Sequence, residues 1–186
     1  MTDTVPLIVD LDGTLIDGDS LKLSLALLAR RRPWLVPALP FVVLRGRARF
    51  KQFVSDHTTL DPTTLPYRPD VLDFVKHERT SGRPIILGTA ANVRVAHDVA
   101  AHVGLFDSVI ASDGRHNAKG PGKLAWIRAH IGDGPFDYVG DSVADVPVFR
   151  SARRSYLVCP EPALVAAVRE GCVVAGVFDA SRGPVG

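Results

Sequence analysis

From Arg68 onward the chain alternates short apolar runs with stretches of helical length, and this alternation limits the fold more than any other feature. Pro69 to Thr80 reads as a helix, with Val71, Leu72, Phe74 and Val75 near helical spacing. Pro84–Gly88 reads as a strand, and Asn92 to His102 as a helix that stops at Gly104. A short strand at Ser108–Ile110, a helix from Lys119 to Ile131 and a strand at Phe136–Val139 come next. The pattern continues with a helical turn or two from Val143 to Arg150, a strand at Ser155–Val158 and a helix from Pro162 to Arg169. Strands spaced in this way predict a parallel sheet with helices on both faces.

An apolar run at the start of the chain, Val5–Val9, reads as the first buried strand. The alternation then breaks. Ser20 or Asp19 is a good N-cap for a helix over Leu21–Leu28, Pro33, Pro37 and Pro40 interrupt the next stretch, and Arg47–Asp56 reads as another helix. Asp61-Pro62 and Leu65-Pro66 close the region. The expected architecture is therefore a three-layer, Rossmann-like α/β core of residues 1–18 and 68–186. Residues 19–67 form a small helical insertion after strand one. Asp179–Gly186 reads as a frayed tail or the start of a linker.

In open α/β sheets ligands bind at the carboxyl ends of the strands, and polar chemistry gathers at those ends here. The first strand runs into Asp10-Leu11-Asp12-Gly13-Thr14: two acids, a flexible Gly and a hydroxyl. The second leads to Thr89, and the fourth to Gly140-Asp141-Ser142-Val143-Ala144-Asp145. Lys119 opens the helix before that fourth strand.

Taken singly, these residues have ordinary explanations. Asp and Gly form turns, Thr89 comes after a strand, a lysine at a helix start is usually solvated, and Asp141 has the position of a helix cap. Together they suit phosphoryl transfer, which needs a nucleophile, charge neutralisation and a proton for the leaving oxygen. Asp10 is placed to attack phosphorus. Asp12 is placed to protonate the leaving alkoxide and then deprotonate water. Several carboxylates would repel an anionic substrate, and a Mg²⁺ on oxygen ligands resolves that conflict. Lys119 and Thr89 offer a point charge and a hydroxyl donor for the remaining oxygens.

DxDGT, then Thr after the second strand, then Lys, then GDSxxD resembles the haloacid dehalogenase-like (HAD) hydrolases, and the resemblance covers the whole chain. It implies that Asp10 is the nucleophile and Asp12 the acid/base. It implies that Asp10, Asp141 and the backbone carbonyl of Asp12 hold Mg²⁺, and that Thr89 and Lys119 bind the phosphoryl group. Asp145 is implied to support the metal and the lysine, with Thr14 beside them. Lys123 is a rival for the lysine role. Lys119 is favoured by its spacing to Asp141 and its Ala-Lys-Gly context, which are similar to those of phosphoserine-phosphatase-type members. The insertion matches the position of a type 1 cap. Members that expel halide need no proton and are expected to lack the second aspartate, so Asp12 argues for a phosphate ester.

Composition bears on the partner. The net charge of +2 gives no global push toward nucleic acid. From Ser20 to Ser55, however, there are eight basic residues and no Asp or Glu: Lys22, Arg30, Arg31, Arg32, Arg45, Arg47, Arg49 and Lys51. With those eight set aside, the rest of the chain sums to −6. Trp34, Phe41, Phe50 and Phe53 lie among the charges. A basic, apolar module suits an anionic membrane surface or a lipid phosphate. It equally suits a cap that packs its apolar residues inward and solvates its arginines. Arg45–Lys51, Leu65-Pro66-Tyr67, Ser112-Asp113-Gly114 and Asn117-Ala118-Lys119-Gly120 resemble HAD domains fused to, or encoded near, UbiA-type prenyltransferases.

The substrate classes left open are a prenyl- or lipid-linked phosphate and a sugar phosphate. The alternatives to a hydrolase are a phosphotransferase or mutase using the same aspartyl-phosphate, and a membrane-docking regulatory domain. Cys159 and Cys172 form no metal-binding or disulfide pattern, and no signal peptide is visible. The longest apolar stretch, Trp34–Leu44, is well short of the roughly 20 residues of a spanning helix. A cytoplasmic location, with peripheral contact at the inner face of the membrane, is the expectation.

Overall fold

The structure, a computed structural model, describes residues 5–112 and 120–179. Among these residues one parallel sheet is built from β1 (Leu7–Val9), β2 (Ile85–Asn92), β3 (Ser108–Ser112), β4 (Asp137–Gly140), β5 (Arg154–Val158) and β6 (Val174–Phe178). The order across the sheet is β3-β2-β1-β4-β5-β6. Between β1 and β2 run α1 (Ser20–Arg31), a 3₁₀ turn (Pro33–Ala38), α2 (Leu39–Val43), α3 (Arg47–His57), a second 3₁₀ turn (Pro62–Thr64) and α4 (Pro69–Thr80). The remaining helices are α5 (Val93–Val103), α6 (Pro121–Ile131), α7 (Val146–Ser151) and α8 (Pro162–Val168).

The expected α/β architecture is the one observed, and the first strand shows why its sequence is apolar without a break. Leu7 and Val9 point to one layer, against Val71 and Val75 of α4 and Ala96 and Val99 of α5. Ile8 points to the other, against Ile127 of α6, Val148 and Phe149 of α7, and Leu164 and Val168 of α8. Side chains alternate along a strand, so a strand covered on both faces must be apolar at every position. Each such side chain, fully buried, contributes about 1.5–3 kcal/mol.

The helix ends obey local chemistry. Asp19 caps α1, its carboxylate accepting from Leu21 N at 2.9 Å and Lys22 N at 3.1 Å. Asn92 caps α5 by accepting from Arg94 N. In α4 a proline stands in the first turn, where a missing N–H costs nothing. No helix among the described residues is long and apolar enough to cross a membrane.

Some expectations are corrected. The first strand is limited to Leu7–Val9. The second runs to Asn92 rather than ending at Gly88, because pairing with β3 resumes at Asn92–Ser112 after an irregularity. Thr89 therefore lies inside a strand. Val174–Phe178 is a sixth strand that the sequence pattern left unassigned. It pairs with β5 at the sheet edge, carries a glycine and is largely exposed, so it lacks the profile of a buried strand. Residues 180–186, most of the expected tail, lie outside the described residues.

At the amino-terminal end of the strands, Asp137 is fully buried at the start of β4. It pairs with Arg83 and accepts from Arg153 Nε at 2.9 Å and Nη2 at 2.8 Å. Burial alone would raise its pKa, but the two guanidinium groups outweigh burial and hold it below the ordinary carboxylate value. A lowered folded pKa gives stability that is complete above the unfolded value, about 4, and is lost as pH falls through the folded one. Asp137→Ala should cost about 3–5 kcal/mol at neutral pH. Urea midpoints at neutral pH and below pH 4 should show the gap to wild type narrowing in acid. A gap that stays constant would count against the ionic account.

Candidate active site

β1 lies between β2 and β4, at the point where the strand order reverses, and the crevice above such a point is where open α/β sheets bind ligands. The register aligns Val9 with Leu87 on one side and Val139 on the other. Asp10, Gly88-Thr89 and Gly140-Asp141 therefore lie side by side at the carboxyl end of β1, and Asp10 N donates to Val139 O at 3.0 Å. Above them is a cavity of about 570 Å³, with Asp10, Asp12, Thr89, Lys123, Asp141 and Asp145 in its wall.

Asp10 is almost fully buried, and each of its oxygens has a donor. Leu11 N reaches Oδ1 at 2.8 Å, and Lys123 Nζ reaches Oδ2 at 2.8 Å. The same ammonium donates to Asp145 Oδ2 at 2.8 Å and to the Tyr138 hydroxyl at 3.0 Å, so its three protons are all engaged. Tyr138 in turn donates to Asp145 Oδ2 at 2.7 Å. Its ring lies under the backbone of Gly140, where an added Cβ would sit 2.6 Å from Tyr138 Cε1.

Burial pushes Asp10 up to about 8, with Asp145 and Asp141 adding to the rise and Lys123 opposing it. For Lys123, burial works against the charged form, but Asp10 and Asp145 outweigh it and raise the pKa, so the ammonium stays protonated. The Tyr138 hydroxyl is held neutral by burial and by the neighbouring carboxylates.

The chain after β1 folds into a tight loop that sets the other carboxylates. Gly13 has φ +75°, a left-handed value, and a Cβ there would lie 2.1 Å from Asp141 Oδ2, so only glycine lets the loop come this close. The next residue, Thr14, is fully buried and donates to Asp141 Oδ1 at 3.1 Å. Asp12 Oδ1 accepts from Ser20 N, the first residue of α1, at 2.7 Å. Burial raises the Asp12 pKa and the bonds to Ser20 oppose it. Asp141 is likewise raised, chiefly by burial. Arg68 braces the loop, with Nη2 2.6 Å from Asp17 Oδ1 and Nε donating to Gly13 O at 3.3 Å.

Helix α3 closes over the rim. Lys51 Nζ donates to Ala90 O at 2.7 Å, Asn92 Nδ2 donates to Gln52 Oε1 at 2.9 Å, and Ser55 Oγ donates to Asn92 Oδ1 at 3.0 Å. Thr89, buried one residue before Ala90, accepts from Ala91 N at 3.0 Å, a bond that leaves its own hydroxyl proton unused.

The fold thus brings Asp10, Asp12, Thr89, Asp141 and Asp145 to one cavity and sets Thr14 against Asp141. Lys119 lies outside the described residues. Lys123, in the first turn of α6, is the cation between Asp10 and Asp145. Tyr138 and Lys51 were not singled out as site residues from sequence. A hydroxyl on a fully buried strand is the signal for Tyr138. Among the described residues no group of three or more His, Cys, Asp or Glu side chains is arranged to hold a metal by itself.

Residues 42–150 match the family model of the haloacid dehalogenase-like hydrolases. An uncharacterized protein of Sinorhizobium fredii, y4nM, is 38% identical over 155 residues, which is 83% of this chain. The chain spans only 30% of the length of that relative. Among solved structures, a protein of unknown function from Bordetella pertussis Tohama I superposes with a TM-score of 0.74 at 23% identity, covering 96% of this chain and 99% of its own. A phosphoserine phosphatase, solved as an analogue of its phospho-aspartyl intermediate, superposes with a TM-score of 0.61 at 15% identity, covering 95% of this chain and 94% of its own. At those identities the two structures speak for the fold alone, but the family match covers more than half of the sequence and ends at the loop that carries Asp141 and Asp145 and the helix just beyond it. The chain belongs to the haloacid dehalogenase-like hydrolases.

Proposed function

We propose that the protein is a Mg²⁺-dependent phosphomonoester hydrolase that works through an aspartyl-phosphate on Asp10. The observation that carries this reading is the arrangement at the switch point. Asp10 is held between a backbone N–H and Lys123, with Asp12 two residues on and Asp141 emerging from the adjacent strand. Asp10 attacks phosphorus, a P–O bond forms, and the bond to the leaving alkoxide breaks. Asp12 gives that alkoxide its proton, a role that its burial-raised pKa supports. Water then attacks the phosphoryl group, Asp12 takes its proton, and the Asp10–phosphorus bond breaks to release phosphate. The Thr89 hydroxyl holds a phosphoryl oxygen, and Lys123, in the lysine role, turns the proton it holds on Asp10 to the phosphoryl group as Asp10 bonds to phosphorus. Asp145 and Tyr138 fix Lys123. Residues 19–67 serve as the cap over a core of 1–18 and 68–186.

The donor set fits a hard divalent cation. Asp10, Asp141 and the Asp12 carbonyl would offer oxygen donors from the loops that follow two adjacent strands, and Mg²⁺ keeps several waters rather than requiring an all-protein cage. The electrostatics point the same way, since a nucleophile pushed up to about 8 by burial and by Asp145 and Asp141 needs more positive charge than Lys123 supplies. When bound, the metal neutralises that excess charge and polarises the phosphoryl oxygens. The test is hydrolysis of an aryl phosphate with Mg²⁺, then with excess chelator. Turnover should vanish with chelator and return with added Mg²⁺. Turnover that persists in chelator would remove the metal from the reading, and no turnover of any phosphate ester would remove the reading itself.

A further inference from the structure

The outer edge of the helical segment is apolar where a soluble surface is normally polar. Trp34 and Phe41 are each 70% exposed and Leu44 is 85% exposed, with Val36 and Val43 exposed beside them in sequence. Clustered exposure of large apolar side chains marks an interaction surface. Arg30, Arg31, Arg32, Arg45 and Arg49, which flank these side chains in sequence, are exposed as well, in a segment without a single acid from Ser20 to Ser55.

The surface is also continuous with the site. Val43 is at once exposed on the cluster and part of the cavity wall, and Phe50, Val54 and Leu21 carry that apolar wall inward toward Asp10 and Lys123. The cavity therefore has a charged floor that suits a phosphate and an apolar flank that opens onto the exposed cluster.

We infer that this edge docks on an anionic lipid bilayer and that the phosphate ester is an amphiphile presented from that bilayer. The second half of this inference rests on the hydrolase reading. Charge and apolarity together choose the occupant. A second copy in two-fold contact would set one cationic segment against another. A nucleic acid offers anions but no apolar layer for Phe41 and Leu44. An anionic bilayer offers both: headgroups for the arginines, the interface for Trp34 and the acyl region for the aliphatic side chains. The phosphate then reaches Asp10 while its apolar chain leaves past Phe50 and Val43.

The experiment compares vesicles of phosphatidylglycerol mixed with phosphatidylcholine against vesicles of phosphatidylcholine alone, at low and high salt. Two variants are made at exposed positions: Arg31→Gln/Arg32→Gln/Arg45→Gln, and Trp34→Ser/Phe41→Ser/Leu44→Ser. Wild type should co-sediment with the anionic vesicles and release at high salt. The arginine variant should bind about a hundredfold more weakly, at about 1 kcal/mol for each of three cations near the surface. Both variants should turn over a soluble aryl phosphate at the wild-type rate, yet lose hydrolysis of a long-chain alkyl phosphate carried in the vesicles. No binding to anionic vesicles at low salt overturns the inference. So does binding that ignores both variants, or a concentration-dependent dimer that the apolar variant abolishes without any vesicle binding. If vesicle binding is seen but wild type hydrolyses neither ester, the hydrolase reading fails while the docking surface stands.

Discussion

Asp10→Asn should leave a folded protein whose turnover of an aryl phosphate is down by about 10⁴-fold or more. An amide has nearly the shape of the carboxylate but is not a nucleophile toward phosphorus, so no aspartyl-phosphate forms. The stability effect should be small because two changes oppose each other. The variant no longer buries an anion that is raised to about 8 mainly by desolvation. Lys123, however, keeps Asp145 as a counter-charge but loses Asp10. The net shift should stay within about 1–2 kcal/mol. Measuring kcat together with a urea midpoint separates the two effects. A well-folded variant within about tenfold of the wild-type rate would rule out Asp10 as the attacking group.

Lys123→Met should damage both stability and rate. The ammonium is buried, with its three protons on Asp10, Asp145 and Tyr138. Removing one partner of a buried ionic cluster strands the others and costs about 3–5 kcal/mol. The loss should depend on pH with a defined sign. Without the cation, Asp10 loses the charge that opposes its burial, and its folded pKa, already about 8 in the wild type, rises further. An acid whose folded pKa exceeds its unfolded value loses stability as pH rises through the interval between them. Wild type stops losing stability once Asp10 ionises near 8, whereas the variant goes on losing it, so the variant should fall further behind wild type at pH 9 than at pH 7. The rate should also drop, by about 10²–10³, through loss of a positive donor to the phosphoryl group. A variant as stable as wild type at pH 9 would show that Asp10 does not depend on this lysine.

How much of the fold and site was legible in the sequence can be traced residue by residue. Strand one and its two aspartates were readable because a strand covered on both faces must be apolar throughout and must end where charge begins. The α4 boundaries were readable because proline and amphipathic spacing act locally. Thr89 was found as a polar residue at a strand end, but the strand runs past it, since its extension depends on pairing with β3 across the sheet. Val174–Phe178 was missed for a related reason: an edge strand is defined by its partner, and its own exposure erases the buried pattern. Lys123 was weighed only as a rival. Spacing in sequence did not reveal that this residue of α6 reaches between Asp10 and Asp145. Tyr138 carried no motif at all, and its part comes from lying under Gly140 with its hydroxyl between a lysine and an aspartate.

The contacts of α3 with the end of β2 have a kinetic meaning. Any swing of that helix away from the rim must break at least the bonds Lys51–Ala90, Gln52–Asn92 and Ser55–Asn92. At about 0.5–1.5 kcal/mol net for each, the open form is a minority, on the order of one molecule in a hundred. The strand that anchors the helix is also the strand that holds Thr89. In the hydrolase proposed above, substrate entry and the placing of the Thr89 hydroxyl would both depend on the end of β2, through Ala90 O and the Asn92 side chain, and release of phosphate would need the same opening.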